Sequence, residues 1–158
     1  MPGVKKPIIT ICSSSSFYER AGKIKDLLIG RNFDVIIPKM AEEMRSKNNY
    51  ERVNYQPWLT DPKAYHVKAA LIRGHFDEVA KADAVLVLND EKHGVANYIG
   101  GNVLMEMGVA FHLKLPIFIL NEAPTDVSYA EEVLGLEPII LHGKIENFSE
   151  EYKKVKPS

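Results

Sequence analysis

A doubly wound α/β fold, a five-stranded parallel sheet in the order 2-1-3-4-5 with helices on both faces, is predicted from three observations. Short apolar runs alternate along the chain with segments of helical spacing. The runs are apolar throughout rather than every second residue, as in strands covered on both faces. Right-handed crossovers between such strands then leave 2-1-3-4-5 as the simplest order.

The elements follow in turn. Pro7 to Cys12 is an apolar run that reads as a buried first strand. Phe17 to Ile29 carries Ala21, Ile24, Leu27 and Leu28 at helical spacing, and Gly30 stops it. Phe33 to Ile37 is the second strand, ended by Pro38. Met40 to Asn49 reads as a polar helix, and Tyr50 to Pro62 as an irregular segment holding Trp58. Lys63 to Lys81 is a long helix with an expected inward stripe of Tyr65, Ala69, Ile72, Phe76, Val79 and Ala80. Asp83 to Leu88 is the strongest strand. A helix opened by Gly100-Gly101-Asn102 follows, then a strand over Pro116 to Leu120, a short helix near Tyr129 to Leu134, a strand over Pro138 to Leu141, and a polar C-terminal helix. The arrangement is flavodoxin-like, or Rossmann-like in the broad sense.

The 158 residues suit one domain, expected to span 1–158, with a core that needs no staples. A net charge of −1 gives no electrostatic footprint for nucleic acid or anionic membranes. The single cysteine, Cys12, leaves no internal disulfide and suits a reducing compartment. No apolar run is long enough to span a bilayer, and Met1 to Lys6 leads into a strand-like apolar segment too short for a signal peptide, so a cytoplasmic location is expected. The histidines (His66, His75, His93, His112 and His142) are scattered, and no structural zinc or other metal is expected.

The most informative stretch is Asn97 to Gly108. Glu106 sits there early in a helix among Val103, Leu104, Met105, Met107, Val109, Ala110 and Phe111, which leave no evident solvent face. Its neighbours one turn away are Asn102, Val103, Val109 and Ala110, none a cation. A buried carboxylate without a local partner is costly and marks a functional group. The plainer alternative is a carboxylate that complements the positive end of the helix dipole. In a doubly wound sheet the ligand crevice lies at the carboxyl ends of the strands, here between the first and third. Ser13, Ser14, Ser15 and Ser16 follow the first strand and open a helix, so their hydroxyls and backbone N–H groups suit a phosphate or ribose as well as ordinary capping. The loop lacks dinucleotide and P-loop glycines, which disfavours NAD binding and NTP hydrolysis, and no cofactor is expected. Asn89, Asp90, Asn97, Tyr98 and Asn102 could bond a sugar or base edge, and Gly100 and Gly101 let backbone approach a ligand. Tyr50, Tyr55, Trp58 and Tyr65 either stack on a base or close a core edge.

These residues also carry a resemblance. The strand Ala82 to Leu88, the polar loop, Gly100-Gly101-Asn102, then Met105-Glu106-Met107-Gly108-Val109-Ala110 and Lys114-Leu115-Pro116-Ile117 resemble the nucleoside 2-deoxyribosyltransferase superfamily, which includes N-glycosidases of 2′-deoxynucleoside 5′-monophosphates. The match covers roughly Pro7 to Leu141. It implies cleavage or transfer at a nucleoside N-glycosidic bond, with Glu106 attacking the anomeric carbon and water or a second base resolving the glycosyl-enzyme. A carboxylate nucleophile of this kind splits one displacement into two. The family usually has a second carboxylate about eight residues, some two helical turns, before the third strand's opening Asp. That position is His75, which could serve as general acid or be a structural histidine. Asp77 lies roughly 200° further round the helix and is expected to pair with Arg73. The tyrosine often found in the family's first strand is replaced within Thr10-Ile11-Cys12.

Three functional readings follow. The first is an N-glycosidase or deoxyribosyltransferase acting on a small-molecule nucleoside or its 5′-monophosphate, with the serines favouring the phosphorylated substrate. The second, weaker, is the phosphoribohydrolase group that releases cytokinin-type bases. Its motif differs here at Ile99 and Val109. The third is a non-catalytic nucleotide-binding or sensing module on the same fold. The apolar stretch Gly108 to Leu115 and the aromatic segment point to a homo-oligomer, a dimer or higher.

Overall fold

Strand β1 (Ile8–Ser13) lies between the second and third strands of a five-stranded parallel sheet in the order β2-β1-β3-β4-β5. The computed structural model describes residues 3–156. Met1 and Pro2, which begin the N-terminal segment considered above, fall outside it. The partners are β2 (Asp34–Ile36), β3 (Ala84–Leu88), β4 (Ile117–Ile119) and β5 (Ile139–Ile140). The expected fold and strand order are therefore observed.

Both faces of the sheet are buried, as the uniformly apolar strands require. Because side chains alternate along a strand, Ile9, Ile11, Leu86, Leu88 and Phe118 fall on one face. There they pack against α1 (Tyr18–Ile29) and α6 (Phe148–Val155) through Ala21, Leu28, Phe148 and Tyr152. Cys12, Val85, Val87, Ile117 and Ile119 fall on the other, under α3 (Tyr65–Ala80), α4 (Gly101–His112) and α5 (Ala130–Gly135). Helix α2 (Lys39–Lys47) joins the first layer through Ala41. The register pairs Cys12 with Val87 and Ser13 with Leu88, so β1 and β3 end side by side. Their carboxyl ends form the floor of the site.

Three expectations about packing are corrected. The inward face of α3 is rotated from the expected stripe: its buried residues are His75 and Val79, whereas Tyr65 and Ala80 are exposed. Two polar side chains, His75 and Glu78, occupy part of the face assigned to apolar residues. Helix α4 is not covered all round, because Met105 is 44% and Phe111 48% exposed. The irregular segment after α2 winds into three short 3-10 turns, Arg52–Asn54, Pro57–Leu59 and Pro62–Ala64. Among the described residues no helix is long and apolar enough to cross a membrane.

Candidate functional site

Glu106 projects from the second turn of α4 and is only 8% exposed. The helix supplies it no cation, as its sequence neighbours indicate, and the partner comes instead from α3. His75 Nε2 lies 3.5 Å from Glu106 Oε2. On its other edge, His75 Nδ1 is 2.9 Å from Glu78 Oε2. Glu78, one helical turn beyond His75, is thus the second carboxylate of the site. Thr10 of β1, fully buried, donates from Oγ1 to the Glu78 carbonyl at 2.9 Å and ties this turn of α3 to the sheet. The thiol of Cys12 completes the cluster from the end of β1.

The electrostatics follow from burial. Removal from water pushes the Glu106 carboxyl up from 4.5 to about 7, against the opposing pull of His75. Burial disfavours the His75 cation, but the Glu78 hydrogen bond and the Glu106 charge outweigh it and raise its pKa. Burial, reinforced by Glu106, also raises the Cys12 thiol and the Tyr18 phenol, so both stay protonated at neutral pH. His75 and Glu106, in contact and each shifted by the other's charge, therefore titrate as a coupled pair. Glu106 Oε2 and His75 Nε2 have no hydrogen-bond partner, an uncommon condition for buried polar atoms.

Two adjoining cavities meet at this cluster. One, of about 360 Å³, is walled by Met40, Trp58, Val67, Leu71 and Ile72 and reaches His75 and Glu106. The other, of about 310 Å³, is polar and lined by Ser13, Ser14, Ser15, Arg52, Lys92 and the Gly100–Gly101 turn. Tyr18, Trp58, Lys68, Asn102 and Glu106 border both. Glu106 thus stands at the junction of an apolar lobe and a cationic one.

The cationic lobe is built for an anion. Arg52, Lys68 and Lys92 have no carboxylate within ion-pair distance among the described residues. The Lys92 ammonium is held below its ordinary pKa by partial burial and by the nearby Arg52 charge. Its Nζ donates to Ser14 Oγ at 2.6 Å. Ser14 also caps the short turn Ser15–Phe17, so capping accounts for one serine and leaves Ser13 and Ser15 on the cavity wall. No side chain caps α4 at Gly100, which leaves its first N–H groups facing the lobe. A Cβ at Gly100 would come within 3.1 Å of the Tyr98 hydroxyl, a close approach that only glycine permits without displacement.

Several expected site residues lie elsewhere. Asn89 is fully buried and structural: its Oδ1 accepts from the Asn121 N–H at 2.8 Å and its Nδ2 donates to the Glu122 carbonyl at 2.9 Å. Asn97 adopts a left-handed turn conformation and does not line either cavity. Ser16 is exposed and lines neither cavity, and Asp90 pairs with Arg20. The expected Arg73–Asp77 pair does not form, since no ion pair within 4 Å joins them. Of the aromatic cluster, Trp58 overhangs the cavities, with Lys68 Nζ 5.6 Å from its ring, while Tyr50, Tyr55 and Tyr65 stay outside. Ser13, Ser14, Ser15, Tyr98, Gly100, Gly101, Asn102, His75 and Glu106 do converge.

Sequence reasoning missed Cys12, Tyr18, Arg52, Glu78 and Lys92. Glu78 had a signal, a carboxylate at i+3 from a histidine on one helix. The others are assembled from distant segments and had none. No protein-family model matches the chain, and no curated protein is significantly similar to it.

Proposed function

We propose that this protein cleaves the N-glycosidic bond of a nucleoside 5′-monophosphate, with Glu106 as nucleophile. The observation that carries the proposal is a buried carboxylate with one unpartnered oxygen, at the junction of an apolar lobe and an unneutralised cationic lobe. The base fits the lobe of Trp58, Leu71 and Ile72, and the phosphate fits that of Ser13, Ser15, Arg52, Lys92 and the α4 N-terminus. The sugar then spans the junction beside Glu106. The motif resemblance read around Glu106 in the sequence is in keeping with the same chemistry.

The ionised Glu106 attacks the anomeric carbon, and the carbon–nitrogen bond breaks with its electron pair leaving on the base. The protonated His75, held at Nδ1 by Glu78, supports the ionised form of Glu106 and supplies a proton to the departing base. Water, or an acceptor base in a transferase, then displaces Glu106 and restores the enzyme. The half-exposed Met105 and Phe111 on α4 support a homo-oligomer.

The test is chromatographic detection of free base after incubation with ribo- and deoxynucleosides and their 5′-monophosphates, with and without an acceptor base. Release from a monophosphate by the wild type and not by Glu106→Gln is the expected result. Thermal stabilisation by a nucleotide with no release from any substrate would replace the enzyme by a nucleotide-binding module.

A further inference from the structure

Cys12, His75 and Glu106 come from three elements, yet one ligand-capable atom of each lies within 4.8 Å of the other two. Their exposures are 0%, 7% and 8%. A tetrahedral zinc ion with bonds of about 2.0–2.3 Å sets its ligand atoms roughly 3.3–3.8 Å apart. His75 Nε2 and Glu106 Oε2 are already 3.5 Å apart, and both lack a hydrogen-bond partner.

Glu78 provides an independent pointer. Its Oε2 takes the Nδ1–H of the neutral imidazole, which fixes the tautomer with a free lone pair on Nε2. That is the carboxylate–histidine support found behind metal-bound imidazoles. Charge agrees as well: a divalent ion with a thiolate, a carboxylate and a neutral imidazole sums to zero, which relieves the cost of burying Glu106 ionised. Sulfur and nitrogen ligands favour zinc-class ions over magnesium or calcium.

We propose that Cys12, His75 and Glu106 form a three-ligand site for a zinc-class divalent cation, with its fourth position open to the cavity that His75 and Glu106 border. Binding displaces the Cys12 thiol proton to solvent and engages the carboxylate oxygen that would attack a sugar. Zinc occupancy and glycosidic cleavage are therefore mutually exclusive, and zinc acts as a reversible inhibitor. The inhibitory part rests on the proposed function; the binding part does not.

The test is titration of metal-free protein with Co²⁺, followed by Zn²⁺ competition. One equivalent of Co²⁺ should bind with tetrahedral visible bands and a near-ultraviolet thiolate band, both displaced by Zn²⁺. Cys12→Ala, checked for folding by circular dichroism, should lose the thiolate band and bind Zn²⁺ at least about tenfold more weakly. Glu78→Gln, which leaves all three ligands in place, should weaken it about tenfold or more. No stoichiometric binding at millimolar Co²⁺, or equal Zn²⁺ affinity in Cys12→Ala, would overturn the site. Because the readout is absorbance, zinc binding by a protein that releases no base would leave the site standing and remove only the glycosidase. Base release that persists with zinc bound would overturn the inhibition.

Discussion

Replacing Glu106 by glutamine keeps its size and removes its charge, so the cost of burying that charge becomes measurable. The interval between its ordinary pKa of 4.5 and about 7 in the folded protein corresponds to about 3 kcal/mol. The folded state holds this proton more tightly than the unfolded chain. The associated stability is therefore fully present below about pH 4.5 and is lost as pH rises through 7. Glu106→Gln does not ionise and escapes the loss. His75, also raised, adds a loss in the same direction, and because the Glu106 charge contributes to that raise, the His75 loss is smaller in Glu106→Gln. The comparison between pH 4 and pH 9 therefore has the burial cost of Glu106 as its lower bound, with the difference in His75 loss added to it. Relative to wild type, Glu106→Gln should gain at least about 3 kcal/mol of stability between pH 4 and pH 9. Urea unfolding followed by circular dichroism measures it by linear extrapolation. A relative gain below about 1 kcal/mol would refute the burial cost assigned to this carboxylate.

Four further outcomes follow. Base release should fall away below about pH 7 as Glu106 protonates, and a pH–rate profile checks this. Glu78→Gln should lower kcat/KM by about 10- to 100-fold, because a charge-assisted hydrogen bond worth roughly 1.5–3 kcal/mol no longer holds His75; it should also move the His75 limb to lower pH. Arg52→Ala and Lys92→Ala should each raise KM for a 5′-monophosphate about tenfold while leaving KM for the free nucleoside nearly unchanged, and steady-state kinetics on both substrates separates these. Gly100→Ala should cost at most about 1 kcal/mol, since the Tyr98 ring need give only a few tenths of an ångström, and thermal unfolding reads it.

The sheet was legible because strands buried on both faces must be apolar at every position, as Ala84 to Leu88 are. Glu106 was legible because a lone carboxylate stood out in an apolar helix. The face of α3 was not, since its inward positions include His75 and Glu78 while Tyr65 and Ala80 are left outside. A hydrophobic stripe cannot register a face chosen for chemistry. Asn89 could not be told from a ligand contact in sequence, because a buried bridge to Asn121 and Glu122 uses the same residue type. The cationic lobe was invisible for a different reason. Arg52, Lys92 and Ser13 are distant in sequence, and only the turns after α2 and the β3–α4 loop bring them together.

The most direct test of Glu106 as nucleophile is mass spectrometry of the acid-quenched protein during turnover of a slow 2′-fluoro nucleoside 5′-monophosphate. A sugar-phosphate adduct should accumulate and map to the peptide carrying Glu106, and be absent from Glu106→Gln. Base release with no adduct on wild type, or with an adduct on another residue, would contradict it.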